Sequence, residues 1–300
     1  MWDDGAVSDA PLVILGCGYI GARVARAALA AGRTVRVASR STGKLAPLGA
    51  LGAELKYVDA ALPKQLPAVM ASMRGGTLLY SVPPIGSLPP GDGPRKALQA
   101  AAGAGLAVCV YLSSSGLYGP DPDDEAEIDD GTEITRDDPA MAGVRNDEDA
   151  IAASTFAIRT VVLRLAPVYG PGRGVRARLR KGDYRLLDDG QHAISRIHVD
   201  DVVQAVLAAE DRAAHGSTYL LADDEPTTQR AYATWLCERM GLPLPATRAL
   251  LEPGRPRGSH RNRRLHADRI KQDLGLTWRY PTFRDGEAAI EAEEASAPSP

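Results

Sequence analysis

The sequence predicts an α/β fold, a doubly wound parallel sheet followed by a smaller C-terminal substrate domain. Three observations predict it. Short β-branched runs alternate with Ala- and Leu-rich stretches through the first half, the pattern of successive βαβ units. A glycine-rich turn directly follows the first of these runs and opens a helical stretch. Beyond Gly170 the texture changes to short helical segments separated by Pro-rich turns.

Taken in order, residues 11–15 (PLVIL) read as a buried first strand. Residues 19–31 follow as a helix with Ile20, Val24, Ala27, Ala28 and Ala31 on one face, closed by Gly32. Residues 34–38, 54–58, 77–82, 107–113 and 160–165 complete six strands. Two breaks interrupt them. Residues 83–94 are rich in Pro and Gly and continue neither a helix nor a central strand. Residues 120–138 carry ten acidic side chains against one Arg, a density expected of a solvated, mobile loop. Further on, RIHVDDVVQAVLAAE (196–210) restarts a helical period at Val202, Val203, Val206 and Leu207, with Asp200 or Asp201 suited to cap it. The expected division is a nucleotide domain over residues 1–170, rejoined by 196–215. A substrate-binding region covers 171–195 and 216–290, and 291–300 form a disordered tail.

Composition excludes several classes of function. With 44% hydrophobic and 24% charged residues, the 300-residue chain has the balance of a globular protein with a sizeable core. A net charge of −3 provides no field to draw in nucleic acid or an anionic membrane. The acidic opening MWDDGAVSDA lacks the basic and apolar regions of a signal peptide, and no apolar run reaches the ~18 residues of a spanning helix. Cys17, Cys109 and Cys237 are widely spaced, form no metal-ligand pattern, and read as reduced thiols of a cytoplasmic protein.

Gly16-Cys17-Gly18-Tyr19-Ile20-Gly21 fits the G-x-G-x-x-G fingerprint between a strand and a helix, the context in which that motif cradles a dinucleotide. Gly16 permits the tight turn, Gly18 lets the backbone approach a pyrophosphate, and Gly21 allows close helix–strand packing. The amides of Tyr19 and Ile20 open the helix, whose N-terminus suits phosphate. The fold is thereby expected to be of the Rossmann type. At the end of the second strand stands Ser39-Arg40, with Lys44 nearby, where an acidic residue would favour NAD. A guanidinium matches a 2′-phosphate in charge and fork geometry, so NADP is the expected cofactor, with NAD the alternative. Asp59, ending the third strand, either reaches the adenine amino group or forms a plain turn.

Several longer segments resemble one family. VYLSSSGLYG (110–119) looks like the fifth-strand signature of the extended short-chain dehydrogenase/reductases, epimerases and dehydratases. LRLAPVYGPGR (163–173) resembles their sixth-strand segment, RIHVDDVVQAV (196–206) their returning helix, and SVPP (81–84) their fourth-strand passage along the cofactor. YLLADDEPTT and RLHADRIKQDLG also match, so the resemblance spans nearly the whole chain. It implies that Ser81, Val82, Pro83, Pro167 and Val168 line the cofactor. It also implies a catalytic Ser, Tyr and Lys, of which the Ser falls on Ser114, with Ser113 and Ser115 beside it. At the spacing of the family's Tyr-x-x-x-Lys this chain has Met141-Ala-Gly-Val-Arg145. Arg145 retains the capacity to bind ribose or phosphate oxygens, but Met141 cannot transfer a proton. The fingerprint departs too, with Leu15 where the extended family's first Gly would stand. Both departures point to the atypical branch.

Other residues carry two readings each. Tyr118 and Tyr169 serve as a replacement acid or as aromatic wall; His198 acts in chemistry or holds the start of a helix. Asp147, Glu148 and Asp149 are most simply the solvated face of a helix. The basic run 255–269 is a solvated loop, or a lid that clamps an anionic small-molecule substrate; it lacks the interleaved aromatics of a nucleic-acid surface. Three functions follow as expectations. They are an NADP-dependent oxidoreductase on a small carbonyl or alcohol, a non-enzymatic NADP(H) sensor or scaffold, and a nucleotide-sugar epimerase or dehydratase.

Overall fold

The computed structural model describes residues 9–41, 43–119, 126–249 and 262–296. The chain divides into two compact units. One comprises Met1–Ser114, Met141–Arg164 and Val202–Tyr219; the other comprises Ser115–Ala140, Leu165–Asp201 and Leu220–Pro300.

The first unit carries a seven-stranded sheet. Its strands are β1 (Leu12–Leu15), β2 (Val35–Ser39), β3 (Glu54–Tyr57), β4 (Thr77–Tyr80), β5 (Val108–Ser114), β7 (Arg159–Leu165) and the strand Ser217–Leu221, while β6 (Ala126–Ile128) lies outside it. The order across the sheet is Ser217–Leu221, β7, β5, β4, β1, β2, β3. The pairs β1–β2, β1–β4, β2–β3 and β4–β5 are all parallel. Strand order therefore reverses between β1 and β4, the topological switch point at which doubly wound sheets open a crevice. The Rossmann-type expectation holds. The strands and the first helix end within a residue or two of the bounds read from periodicity, whereas another helix begins at Asp92, inside the 83–94 stretch expected to be loop. The helices α1 (Tyr19–Ala30), α2 (Ala46–Ala50), α3 (Leu66–Met70), α4 (Asp92–Gly103) and α5 (Ala142–Ala152) cover the faces. Leu78, Tyr80, Leu98, Ala101, Cys109, Tyr111 and Ile151 join one apolar core between sheet and helices.

Two arginines tie the helix Val199–Arg212 to this unit. Arg33 forms a fully buried, forked pair with Glu210, one arm of it 3.1 Å long. Arg159 donates to the carbonyls of Ala209, Glu210 and Ala213, satisfying acceptors that the end of a helix leaves open.

The second unit has its own core of Tyr169, Leu179, Tyr184, Leu186, Tyr232, Leu236, Phe283 and Ile290. Here several expectations are corrected. Residues 120–125 lie outside the described residues, and the remainder of the acidic segment is a solvated loop only in part: Glu127, Asp129, Glu133 and Asp137 are exposed, but other residues are held. Its strand β6 pairs in parallel with Arg263–Leu265, Asp130 accepts the Leu220 amide at 2.7 Å, and Asp138 is buried. Carboxylates dispersed over strand and turn find backbone donors that a like-charge count does not reveal. The basic run is corrected in the same way. Residues 255–261 lie outside the described residues, whereas Arg263 is buried and Arg269 pairs with Asp130 at 3.4 Å. Residues 291–296, expected to belong to a disordered tail, are helical. A helix runs Phe283–Ser296, anchored where Glu294 pairs with Arg180 and Arg176, and only 297–300 lie beyond the described residues. Asp201 is no helix cap, because the helix already starts at Val199. Its carboxylate accepts the amides of Arg279 at 2.6 Å and Tyr280 at 3.3 Å.

Buried polar groups concentrate in this unit. The Arg196 guanidinium lies over the Tyr232 ring at 3.9 Å. Glu287 accepts hydrogen bonds from Tyr232 Oη and from Arg176 Nε, the latter at 2.7 Å. Asp223 is 2% exposed, and neither carboxyl oxygen has a partner among the described residues. Burial pushes its carboxyl up to about 8, against the opposing pull of Arg196 and of the Glu225 amide, which lies beside it without a well-formed hydrogen bond.

The sign of the resulting pH dependence follows from linkage. In the unfolded chain Asp223 titrates near ~3.9, so between that pH and about 8 the unfolded state releases a proton that the folded state keeps. Stability is thus lost as pH rises through this window, and no further above it. Asp223→Asn is expected to raise stability at pH 8 by on the order of 1–3 kcal/mol and to change it little at pH 4. Thermal melts across that range check this; a wild-type-like slope in the variant would refute it.

Candidate functional site

A cavity of about 630 Å³ opens in the first unit at the carboxyl ends of β1, β2, β3 and β4. Its walls are Leu15–Gly18 from the turn after β1, Ala38–Arg40 from β2, residues 58–61 beyond β3, and residues 81–87 beyond β4. Gly16 holds φ at +87°, and a Cβ there would lie 2.6 Å from the Ser81 carbonyl oxygen. The Gly18 amide donates to the Gly16 carbonyl at 2.8 Å, closing the turn, and Ser81 N–H donates to the Leu15 carbonyl at 2.9 Å. Gly18 itself faces open space, since a Cβ would find only the Gly16 carbonyl oxygen, at 4.0 Å. At Gly21 a Cβ would strike Ile14 Cγ2 at 2.9 Å, so α1 lies close on β1. The N-cap residue of α1 is Gly18, which brings no side chain to its free amides. The cavity thus offers a glycine cradle and a helix start, which fit a dinucleotide pyrophosphate.

Of the residues expected at the cofactor, Gly16, Gly18, Ser39, Arg40, Asp59, Ser81, Val82 and Pro83 line this cavity together. Tyr19, Ile20 and Gly21 form the first turn of α1. Arg40 is exposed and has no salt bridge with any described residue; Lys44 lies exposed on the following turn. Asp59 shapes its own turn, its Oδ1 accepting the Ala61 amide at 3.0 Å while its amide donates to Gln65 Oε1 at 3.0 Å. Pro167 and Val168 belong to the second unit, where Val168 lies in the strand β8 (Val168–Tyr169) paired with Ile197–His198. Sequence reading missed Ile85, Gly86 and Ser87, which a Pro/Gly-rich loop gave no sign of folding back into the wall. Burial pushes the Cys17 thiol up to about 12, so it stays neutral beside the glycine turn.

The proposed catalytic residues are not among the cavity walls. Ser114 ends β5 and is half-buried; Arg145 is half-buried on the second turn of α5. Met141 precedes that helix and is 9% exposed. Asp147 and Glu148 correct the expectation of a solvated face, for both are buried while Asp149 is exposed. Glu148 accepts a hydrogen bond from Ser113 and a forked pair from Arg164, whose Nη2 lies at 2.7 Å. Strand alternation turns Ser113 inward to this pair, and the charged residues around it hid the role of Glu148 in the sequence.

In the second unit Tyr118 and Tyr169 are both buried, and burial together with the charges of Asp223 and Glu287 drives the Tyr169 phenol well above its ordinary range. His198 is buried against the Tyr169 and Tyr280 rings, and its Nδ1 accepts the Asp200 amide at 3.2 Å. Among the described residues no group of three or more His, Cys, Asp or Glu is placed to hold a metal, and no helix is long and apolar enough to cross a membrane.

The family model for NAD dependent epimerase/dehydratases matches residues 91–222. A conserved protein of unknown function from Silicibacter pomeroyi is 29% identical, with a TM-score of 0.78 covering 95% of this chain and 99% of that one. DesIV, a dTDP-glucose 4,6-dehydratase from Streptomyces venezuelae solved with NAD bound, is 19% identical with a TM-score of 0.77, covering 96% and 97%. A 3-diazoavenalumate denitrifying reductase from Streptomyces is 28% identical over 211 residues, 65% of this chain and 68% of that protein. Over residues 91–222 the chain is similar to the NAD dependent epimerase/dehydratase family, and its fold is shared with the Silicibacter pomeroyi protein and with DesIV.

The two glycines of the turn should respond differently to a side chain. Gly18→Val is expected to melt within about 1 kcal/mol of wild type, whereas Gly16→Val loses about 1–3 kcal/mol or more through its positive φ and the Ser81 carbonyl. Denaturant titration of both variants measures this, and equal losses would count against the turn geometry.

Proposed function

We propose that this chain is an NADP-dependent oxidoreductase acting on a small carbonyl or alcohol. The observation that carries the reading is the cavity at the switch point, where the glycine turn and the start of α1 meet an exposed Arg40 that has no salt bridge to any described residue. Hydride transfer is the chemistry a nicotinamide dinucleotide supplies when bound. The chain's own part is binding and orientation. The Gly16–Gly18 turn and the first amides of α1 take the pyrophosphate, Arg40 takes the 2′-phosphate, and Ser39 and Asp59 border the adenosine. Ser81, Val82 and Pro83 form the opposite wall. The reductase name of the Streptomyces relative supports the reaction class.

Met141 favours a second reading, a sensor or scaffold that binds NADP(H) without turnover. No tyrosine lies between Tyr118 and Tyr169, so α5 carries none of the family's acid. As an oxidoreductase the protein therefore acts on electron-poor acceptors, with Ser114 orienting the acceptor oxygen, Arg145 holding ribose or phosphate oxygens, and the proton coming from water. The nucleotide-sugar reading draws support from the epimerase/dehydratase family model and from the names of neighbours, among them a dTDP-glucose dehydratase, and the missing tyrosine weakens it.

Calorimetric titration is expected to show tighter binding of NADP than of NAD. Arg40→Ala should erase that preference at a cost of about 1.5–3 kcal/mol, or roughly ten- to a hundredfold. Equal wild-type affinities, or a preference that survives the substitution, would overturn the assignment of NADP.

Turnover tests the missing acid. Wild type is expected to be slow on unactivated ketones, because general acid help is worth about 10²–10⁴-fold. Met141→Tyr with Arg145→Lys should raise NADPH-dependent reduction of a reactive diketone, and Ser114→Ala in that background should lower it. Brisk wild-type turnover with a tyrosine-like limb in its pH profile would refute the placement of Met141. Tight NADPH binding with no turnover in either form would favour the sensor.

A further inference from the structure

Behind the cavity wall lies a buried polar pair that the proposed chemistry does not use. Tyr80 ends β4, and Asp147 lies on α5. They are 1% and 4% exposed, and neither Tyr80 Oη nor Asp147 Oδ2 has a hydrogen-bond partner among the described residues. Tyr111 of β5 completes the cluster, its ring 5.7 Å from that of Tyr80 and tilted by 48°. The Asp147 charge reaches both phenols and, with burial, holds them above their ordinary range. Buried polar atoms without partners are rare in folded chains, and a buried acid within electrostatic reach of two buried phenols calls for a cause.

This cluster is mechanically connected to the cavity. Tyr80 precedes Ser81, whose carbonyl abuts Gly16. A Cβ on Gly93 of α4 would lie 2.9 Å from Tyr80 Oη and 3.5 Å from Ile85 Cδ1, and Ile85 is part of the cavity wall. On the other side α5 presses on the same loop. A Cβ at Gly143 would lie 2.8 Å from Pro84 Cβ, and one at Gly91 would lie 2.8 Å from both the Asn146 carbonyl oxygen and Ala150 Cβ. Residues 84–91 are thus clamped by the helix face that carries Asp147.

We propose that Asp147, with Tyr80, is a positioning residue for this cavity: the protonation of its buried carboxyl sets how firmly α5 holds residues 84–91, and through them the affinity for the dinucleotide. The proposal rests on the cofactor reading above and adds a regulation of that same site. The neutral carboxyl tolerates its apolar surroundings. The ionised one, without a salt bridge to any described residue, is relieved only if the Tyr80 hydroxyl turns to it or α5 yields. Burial pushes the carboxyl up to about 6, so both states are accessible near neutrality. The other charges on the packed elements leave Asp147 unneutralised. Glu148 is engaged by Arg164 of β7, Asp92 of α4 pairs with Arg95, and Lys96 of that helix faces the α3 side. Arg145 and Asp149 flank it on α5 itself, each with an interaction of its own. Because the packed loop binds better, proton and dinucleotide bind with positive coupling, and affinity falls as pH rises through the titration of Asp147.

The test uses the full chain as wild type, Asp147→Asn and Tyr80→Phe, with circular dichroism confirming that each is folded. NADP and NAD are titrated by calorimetry from pH 5 to pH 8. The Asn variant, a permanent mimic of the neutral carboxyl, also reports the ligand's own titration. Relative to that variant, wild-type affinity is expected to fall about five- to tenfold over the range. Tyr80→Phe, which removes the hydroxyl that relieves the charge, should shift the midpoint to higher pH. A scaffolding role alone would leave that midpoint unmoved. Amide hydrogen exchange of the free protein, corrected for its intrinsic pH dependence, gives a second readout. Residues 84–91 should exchange faster above pH 6 in wild type and not in Asp147→Asn. Identical pH profiles of affinity in wild type and Asp147→Asn overturn the proposal, as does pH-independent protection of residues 84–91. Failure of every form to bind dinucleotide, with the exchange difference intact, refutes the cofactor reading and leaves the Asp147 switch standing.

Discussion

The close approach of the β1 turn to the start of the β4 loop governs the site. At Gly16 the backbone passes so near the Ser81 carbonyl that no side chain fits, and the Ser81 amide is tied to Leu15 in the same place. Two adjacent parallel strands that connect in opposite directions must part at their carboxyl ends. The glycine contact sets how closely they approach, and the cavity opens there, bordered by the start of α1 and by Arg40 at the end of β2.

Charge is handled in opposite ways on the two sides of the sheet's first unit. Arg33–Glu210 and Arg164–Glu148 are buried ion pairs with forked geometry, which compensates much of the desolvation of both partners. They bind the helices Val199–Arg212 and α5 to the strands. Arg40, by contrast, is left in solvent beside the cavity with no salt bridge among the described residues. Charges that hold the fold are matched and hidden, and the guanidinium available to a ligand is neither.

Unpaired buried acids are the other recurrent feature. Asp147 in the first unit and Asp223 in the second are each nearly inaccessible, with carboxyl oxygens that no described residue satisfies. For both, burial dominates and favours the neutral acid. Such groups cost stability near neutrality, which makes each of them a place where protonation and conformation are linked.

The sequence by itself determined the order and type of the elements in the first half, because strand and helix periods and the glycine fingerprint are local signals. It also determined the composition of the cavity's glycine wall and the presence of Ser39-Arg40 at its rim, since strand ends in a parallel sheet point to one edge. Only the tertiary structure decided the fate of the charged residues. Asp147 and Glu148 read as a solvated helix face, β6 as part of an acidic loop, and Arg263 as part of a basic one, yet all are buried or paired. Arg164, which pairs with Glu148, and the strand Arg263–Leu265, which pairs with β6, come from other elements of the fold. A charge count over neighbouring residues cannot see a counter-ion or a hydrogen-bond donor delivered from a distant strand, and burial depends on what packs above a residue rather than on what flanks it.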